Sequence, residues 1–121
     1  MRIAFKAPEG LKADLDWLSV TMGLSKPEIV RRAVREALGY IRERGELPRT
    51  SYVPYASGSW RLYLFTVRVE DRLYRELERA AARLNVPMSE VVRTAVYWYV
   101  ERMERKYRPY RGRRVRVYLV T

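Results

Sequence analysis

The side chains able to do chemistry in this 121-residue chain are its cations: 25 Lys and Arg face 14 Asp and Glu, a formal net charge of +11. Cysteine and histidine are both absent. That removes thiolate and imidazole metal sites, disulfides, cysteine nucleophiles and histidine bases at one stroke. Among the carboxylates, Asp14/Asp16 and Glu70/Asp71 are candidate pairs for acid–base chemistry. Residues two apart on a helix do not share a face, and adjacent acids suit a helix start, so neither pair forms an acid–base couple. Without a glycine-rich phosphate loop no catalytic constellation assembles. The expectation is a protein that is not an enzyme and that uses neither metal nor cofactor.

The cations fall into patterns. Arg2, Ala4 and Lys6 alternate with Ile3, Phe5 and Ala7, and Leu64, Thr66 and Arg68 alternate with Phe65, Val67 and Val69. Period two over so few residues reads as two short strands, each with one buried face and one outward face bearing a cation. Further along, Ser25-Lys26-Pro27-Glu28 has the spacing of a capping box, while Pro87 and Met88 stand at the matching place later in the chain. Arg31, Arg32, Arg35 and Arg93 lie at helical spacing from Glu28, Glu36 and Glu90, so ion pairs within the helices are their expected use.

These positions match because the chain is one unit written twice. A shift of 62 residues lays Met1–Glu43 over Tyr63–Arg105, bringing together Leu11 and Leu73, Leu15 and Leu77, Glu28 and Glu90, Arg31 and Arg93. Each copy reads as a strand, a helix of about 14 residues, a turn at Gly23 or Asn85, and a second helix. Gly and Asn are the residue types best suited to a left-handed helix end. The second helices carry broad stripes, Ile29, Val30, Ala33, Val34, Ala37, Leu38 and Ile41 against Val91, Val92, Ala95, Val96, Tyr99, Val100 and Met103. Stripes this broad are buried on two sides, so each helix must pack on more than its own copy.

The fold expected is mainly α with a short antiparallel β ribbon. Its divisions are a first copy over 1–44, a linker over 45–60, a second copy over 61–106 and a basic tail over 107–121, with the two copies forming one compact domain. Tyr52, Tyr55 and Trp60 place the linker against the body. In the tail, Val115, Val117 and Leu119 alternate with Arg114, Arg116 and Tyr118, which predicts a C-terminal strand with one apolar face.

Strand–helix–helix written twice resembles the ribbon-helix-helix superfamily of transcription regulators. The likeness rests on the alternating strands, the first helices and the segments Gly23–Ile29 and Asn85–Val91. Members usually build this unit from two chains; here one chain would supply both halves as an intramolecular pseudo-dimer. The resemblance implies a ribbon in the DNA major groove, read by Arg2, Ala4, Lys6, Leu64, Thr66 and Arg68. Ala4 and Leu64 depart from the polar pattern of a reader. It also implies phosphate contacts at the second-helix starts, Ser25 and Lys26, then Pro87 and Met88, the latter pair weaker because Pro87 has no N–H.

Function is therefore expected to be sequence-specific binding of double-stranded DNA as a transcription regulator, with repression the expected sign. An antitoxin-type interaction module and a non-specific architectural nucleic-acid binder are the alternatives. Tyr97 and Trp98 fall off the buried stripe and, with Val115, Val117 and Leu119, are expected at the joint of a homodimer of pseudo-dimers on DNA. Arg111, Arg113 and Arg114 would reach flanking phosphate. No apolar run is long enough for a membrane span and no signal-peptide pattern opens the chain, so a cytoplasmic, nucleoid-associated location is expected, in the host cytoplasm if virus-encoded. Arginine in place of lysine, no Gln and Asn85 alone fit a hot environment, and a GC-rich coding bias fits equally.

Overall fold

The computed structural model describes residues 1–51 and 62–120, residues 108–120 as backbone only. The element order is β1 (Arg2–Pro8), α1 (Glu9–Met22), α2 (Lys26–Arg44), β2 (Leu62–Arg68), α3 (Asp71–Leu84) and α4 (Met88–Val120). The protein is mainly helical, with β1 and β2 forming a two-stranded antiparallel sheet. Expected positions Tyr52, Tyr55 and Trp60 lie outside the described residues.

Local chemistry fixes the helix boundaries. α1 and α3 each run 14 residues and stop at Gly23 (φ 66°) and Asn85 (φ 56°), both left-handed. There the backbone turns at little cost and each cap N–H returns to a carbonyl of the last turn. α2 starts at Ser25, whose hydroxyl accepts from the Glu28 N–H at 3.2 Å, and ends at left-handed Gly45.

The helices pack because each buries its stripe. Leu11, Leu15 and Leu18 of α1 and Leu73, Leu77, Ala80 and Ala81 of α3 close over the two longer helices. α2 lies against α4, burying Ile29 through Ile41 on one side and Val91 through Val100 on the other. One continuous core joins these to Ile3, Phe5, Ala7 and Val67 from the sheet and to Val69 just after it. Two strands alone cannot cover a face, so the sheet depends on these helices.

Strand register ties the two halves together. Arg2 pairs with Arg68, Ala4 with Thr66 and Lys6 with Leu64, while Phe5 stacks on Phe65 with ring centroids 5.4 Å apart. Thr66 is the 62-residue counterpart of Ala4, so the ribbon pairs that position with its own repeat.

The expected C-terminal strand is not there: α4 runs without a break through Val120, across the boundary drawn at 106/107. The cause lies at residue 107. The counterpart of Gly45, which ends α2 left-handed, is Tyr107, and tyrosine gives no such exit. Extending a formed helix costs only propagation, whereas a lone strand would need a partner edge for its backbone groups. Pro109 and Gly112 are accommodated within the helix. On a helix Val115 and Leu119, four apart, fall on one side and Val117, two from each, does not, so the three no longer share the single face that alternation along a strand would give them.

Candidate nucleic-acid interface

The outward face of the ribbon carries the six residues read from the sequence. Arg2, Ala4, Lys6, Leu64, Thr66 and Arg68 are all exposed, while Ile3, Phe5, Ala7 and Val67 are buried beneath them. Leu64 is 67% exposed, so the face presents an apolar side chain among its cations.

The register arranges their charges in a way that one strand at a time does not show. Lys6 and Arg68 hold matching places in the two copies, yet they lie at opposite ends of the ribbon, Arg68 across from Arg2 and Lys6 across from Leu64. Like charges directly opposite each other weaken an antiparallel pair. None of the six outward residues is acidic, so this face has no carboxylate of its own to relieve the Arg2–Arg68 repulsion. Four residues of strand, about 13 Å, separate that pair of arginines from Lys6. Between them sit Thr66, with a hydroxyl that donates and accepts, and the small Ala4.

Two arginines hold this face in place from behind. Arg31 Nε donates to the Arg68 carbonyl at 2.8 Å, and Arg93 Nε donates to the Lys6 carbonyl at 3.1 Å. Each guanidinium is oriented by a carboxylate one turn earlier, Arg31 by Glu28 at 3.2 Å and Arg93 by Glu90 at 2.6 Å. The ion pairs were expected; the grip on the ribbon was not. Its signal was present in the sequence, since Glu28/Glu90 and Arg31/Arg93 are among the few identities the repeat keeps. The geometry crosses over: the arginine of each copy bonds a strand of the other, at the backbone of an outward cation.

The same contacts set the second-helix starts beside the ribbon, because Arg31 and Arg93 lie in the second turns of α2 and α4. Ser25 is exposed at the α2 start with its oxygen engaged as a cap. Lys26 is not free: its ammonium pairs with Asp16 at 2.6 Å, and Lys12 takes the other oxygen of the same carboxylate at 2.8 Å. Hydrogen bonds from Lys12 and Lys26 hold the Asp16 carboxyl below its ordinary range. At the α4 start Pro87 is exposed without an N–H to give, Met88 is half-buried, and the first-turn N–H groups of Glu90 and Val91 return to the Pro87 carbonyl.

The residues assigned to a joint fare differently. Trp98 is half-buried, with Tyr40 of α2 meeting its ring edge-on at 5.2 Å and Arg102 lying over it at 4.4 Å. Arg102 in turn pairs with Glu36 at 2.7 Å. The ring is thus used within the chain, at the α2–α4 seam, and Tyr97 is half-buried against the core. Arg111, Arg113 and Arg114 lie on α4 past Tyr107, as do Val115, Val117 and Leu119. The linker holds to the body where it is described: Pro48 is buried, Leu47 packs on the core, and the Ser51 N–H donates to Glu101 at 2.8 Å.

Among the described residues no group of three or more acidic side chains is placed to hold a metal ion, and no helix is long and apolar enough to cross a membrane. No protein-family model, no curated protein and no solved structure matches this chain.

Proposed function

We propose that the chain is a sequence-specific double-stranded DNA-binding transcription regulator of ribbon-helix-helix type, in which the two copies form an intramolecular pseudo-dimer. The observation that carries this reading is the outward ribbon face: three cations, a threonine and two small or apolar residues, with Arg2 set against Arg68 and no acid among them. A fold gains nothing from that repulsion, and an anion docked on the face removes it. Position 4 pairing with its counterpart at 66, together with the crossed Arg31 and Arg93 bonds, supports the pseudo-twofold arrangement.

In this mechanism the ribbon enters the major groove, which admits a two-stranded ribbon. Arg2, Lys6 and Arg68 reach guanine O6/N7 or phosphate, Thr66 bonds a base edge, and Leu64 meets a thymine methyl. Arg31 and Arg93 are positioning residues that fix the backbone behind Arg68 and Lys6. The α2 start grips phosphate better than the α4 start, since Lys26 brings a cation where the α4 start has the uncharged Met88, and Pro87 has no N–H to add. Repression follows if the bound site overlaps a promoter, because occlusion needs no added surface. A second chain joins along the extension of α4, which carries Arg111, Arg113 and Arg114 toward flanking phosphate.

The test is selection of bound sites from random duplex DNA with the full chain, followed by salt titration. A recovered motif whose binding falls on Lys6→Ala or Arg68→Ala supports the reading. Binding with a steep salt slope and no motif would make the chain a non-specific binder instead.

A further inference from the structure

α2 and α3 enclose a groove of about 500 Å³. Its rim is cationic. On α3, Arg72, Glu76, Arg79 and Arg83 recur at i, i+4, i+7 and i+11, a single helix face, and Arg42 of α2 closes the opposite side. Glu76 answers two of these arginines, Arg42 at 3.3 Å and Arg72 at 3.6 Å. Arg79 turns its Nε to the Arg75 carbonyl, and Arg83 pairs with no carboxylate among the described residues. Four guanidinium groups against one carboxylate leave the groove strongly positive. Its floor is apolar, made by Leu38, Ile41 and Ala80.

The repeat supplies a control for whether this charge is mere arginine enrichment. The 62-residue shift sends Arg42 to Glu104, Arg72 to Gly10, Arg79 to Trp17 and Arg83 to Thr21, while Glu76 keeps its acid as Asp14. The floor keeps its character, Leu38 and Ile41 becoming Val100 and Met103, and Ala80 becoming Leu18. So the packing of the two places is repeated and the cations are not: all four were set on one side only. Enrichment of the whole chain in arginine would not sort them this way.

The groove also lies apart from the ribbon cations. Arg42 is eleven residues beyond Arg31, the α2 residue that touches the ribbon backbone, about 16 Å along the helix. We propose that this groove binds a small phosphorylated organic molecule, of nucleotide size, with its phosphates on Arg72, Arg79, Arg83 and Arg42 and its ring on the apolar floor. A volume of about 500 Å³ lies within the range of small-ligand sites. Guanidinium forks match phosphate oxygens two at a time, which favours phosphate over a single carboxylate. The inference stands whether or not the ribbon meets DNA.

The experiment is calorimetric titration of the full chain, at low salt, with three probes: ATP, inorganic tripolyphosphate and adenosine. ATP is expected to bind with one site per chain and at least tenfold more tightly than tripolyphosphate, with adenosine weaker still. Exchanging the arginines for their counterparts, Arg79→Trp with Arg83→Thr, is expected to lower ATP affinity at least tenfold. Arg79→Gln with Arg83→Gln, which keeps side-chain length, is expected to do the same, and guards against a fold defect in the first variant. The triple change Arg2→Ala, Lys6→Ala, Arg68→Ala is expected to leave ATP binding unchanged. Equal affinity for ATP and tripolyphosphate, or unchanged ATP affinity in both groove variants, overturns the proposal. Absence of ATP binding, with weaker duplex DNA binding in the groove variants, also overturns it and assigns the groove to the DNA backbone.

Discussion

The two halves of this molecule bury the same pattern and display different chemistry. Inside, Leu15 and Leu77 are both fully buried, α2 and α4 repeat their stripes, and Arg31 and Arg93 each hold a carbonyl of the opposite strand. Outside, α2 begins with a serine cap and a lysine pair on Asp16, while α4 begins with Pro87 and Met88; α2 ends at Gly45, while α4 passes Tyr107 and continues to Val120. The lesson is that packing across the seam couples the halves, so their inner residues must stay complementary. Outer residues carry no such constraint, and each half is free to take on its own contacts.

The largest test of that comparison lies in the core. Leu15→Ala and Leu77→Ala each remove a fully buried side chain at matching places and should each cost about 2–5 kcal/mol. Urea unfolding followed by circular dichroism should show one transition in both variants, because the core is continuous. Two separate transitions, each sensitive to only one substitution, would mean that the halves fold independently and would break the comparison.

Next come the crossed arginines. Arg31→Met and Arg93→Met keep much of the stem and delete the bond to the Arg68 and Lys6 carbonyls, a loss of about 1.5–3 kcal/mol for a bond to a charged donor. Both should weaken DNA binding with the fold retained, and Arg31→Lys should not restore it, since an ammonium cannot serve Glu28 and the carbonyl as a guanidinium fork does. Binding equal to that of the unmodified chain would reduce these residues to ordinary ion pairs.

Much of this was legible from residue types whose preferences are local. Gly23, Asn85 and Ser25 mark helix ends through backbone geometry alone, and alternation along Arg2–Ala7 separates the two faces of a strand. What escaped depends on distance in sequence or on two readings of one pattern. Arg31 is 37 residues from Arg68, and Arg93 is 87 from Lys6, so no local rule aims them at the ribbon. The Arg2–Arg68 juxtaposition follows only once position 4 is set opposite its counterpart at 66. Valine alternating with arginine after residue 113 fits a strand by period, but a helix already running into Tyr107 has no cap to stop it. Trp98 lies beside the stripe in a period count, whereas Tyr40 and Arg102 cover its ring.

A sharper contrast concerns the second-helix starts. Ser25→Ala removes the cap on the Glu28 N–H and should cost about 1 kcal/mol. Pro87→Ala removes no donor and no cap acceptor, so its effect on stability should be smaller, about 0.5 kcal/mol or less. Thermal unfolding of both variants reads the difference directly. If Pro87→Ala costs as much as Ser25→Ala, the α4 start is held by contacts equivalent to a cap and the two starts are alike after all.

The smallest expected effect is in the pH dependence, and it too belongs to one half. Asp16 accepts from Lys12 and Lys26, and those hydrogen bonds lower its folded-state pKa beneath the unfolded value. A group of that kind adds stability that is present above the unfolded carboxylate pKa, near 3.9, and is lost as pH falls through the lower folded value. The pairs are well exposed, with Asp16 42% accessible, so solvent screening leaves about 0.5 kcal/mol. The counterpart of Asp16 is Glu78, and Tyr74 and Met88 stand where Lys12 and Lys26 do, so the second half has no such device. Asp16→Asn should therefore flatten the loss of stability below about pH 4 slightly, while Glu78→Gln should not. Added salt should shrink the gap between the two variants, since exposed pairs are screened within about 10 Å at 0.1 M. An equal response to both substitutions would show that Asp16 is not specially held, and would remove one of the differences that separate the α2 start from the α4 start.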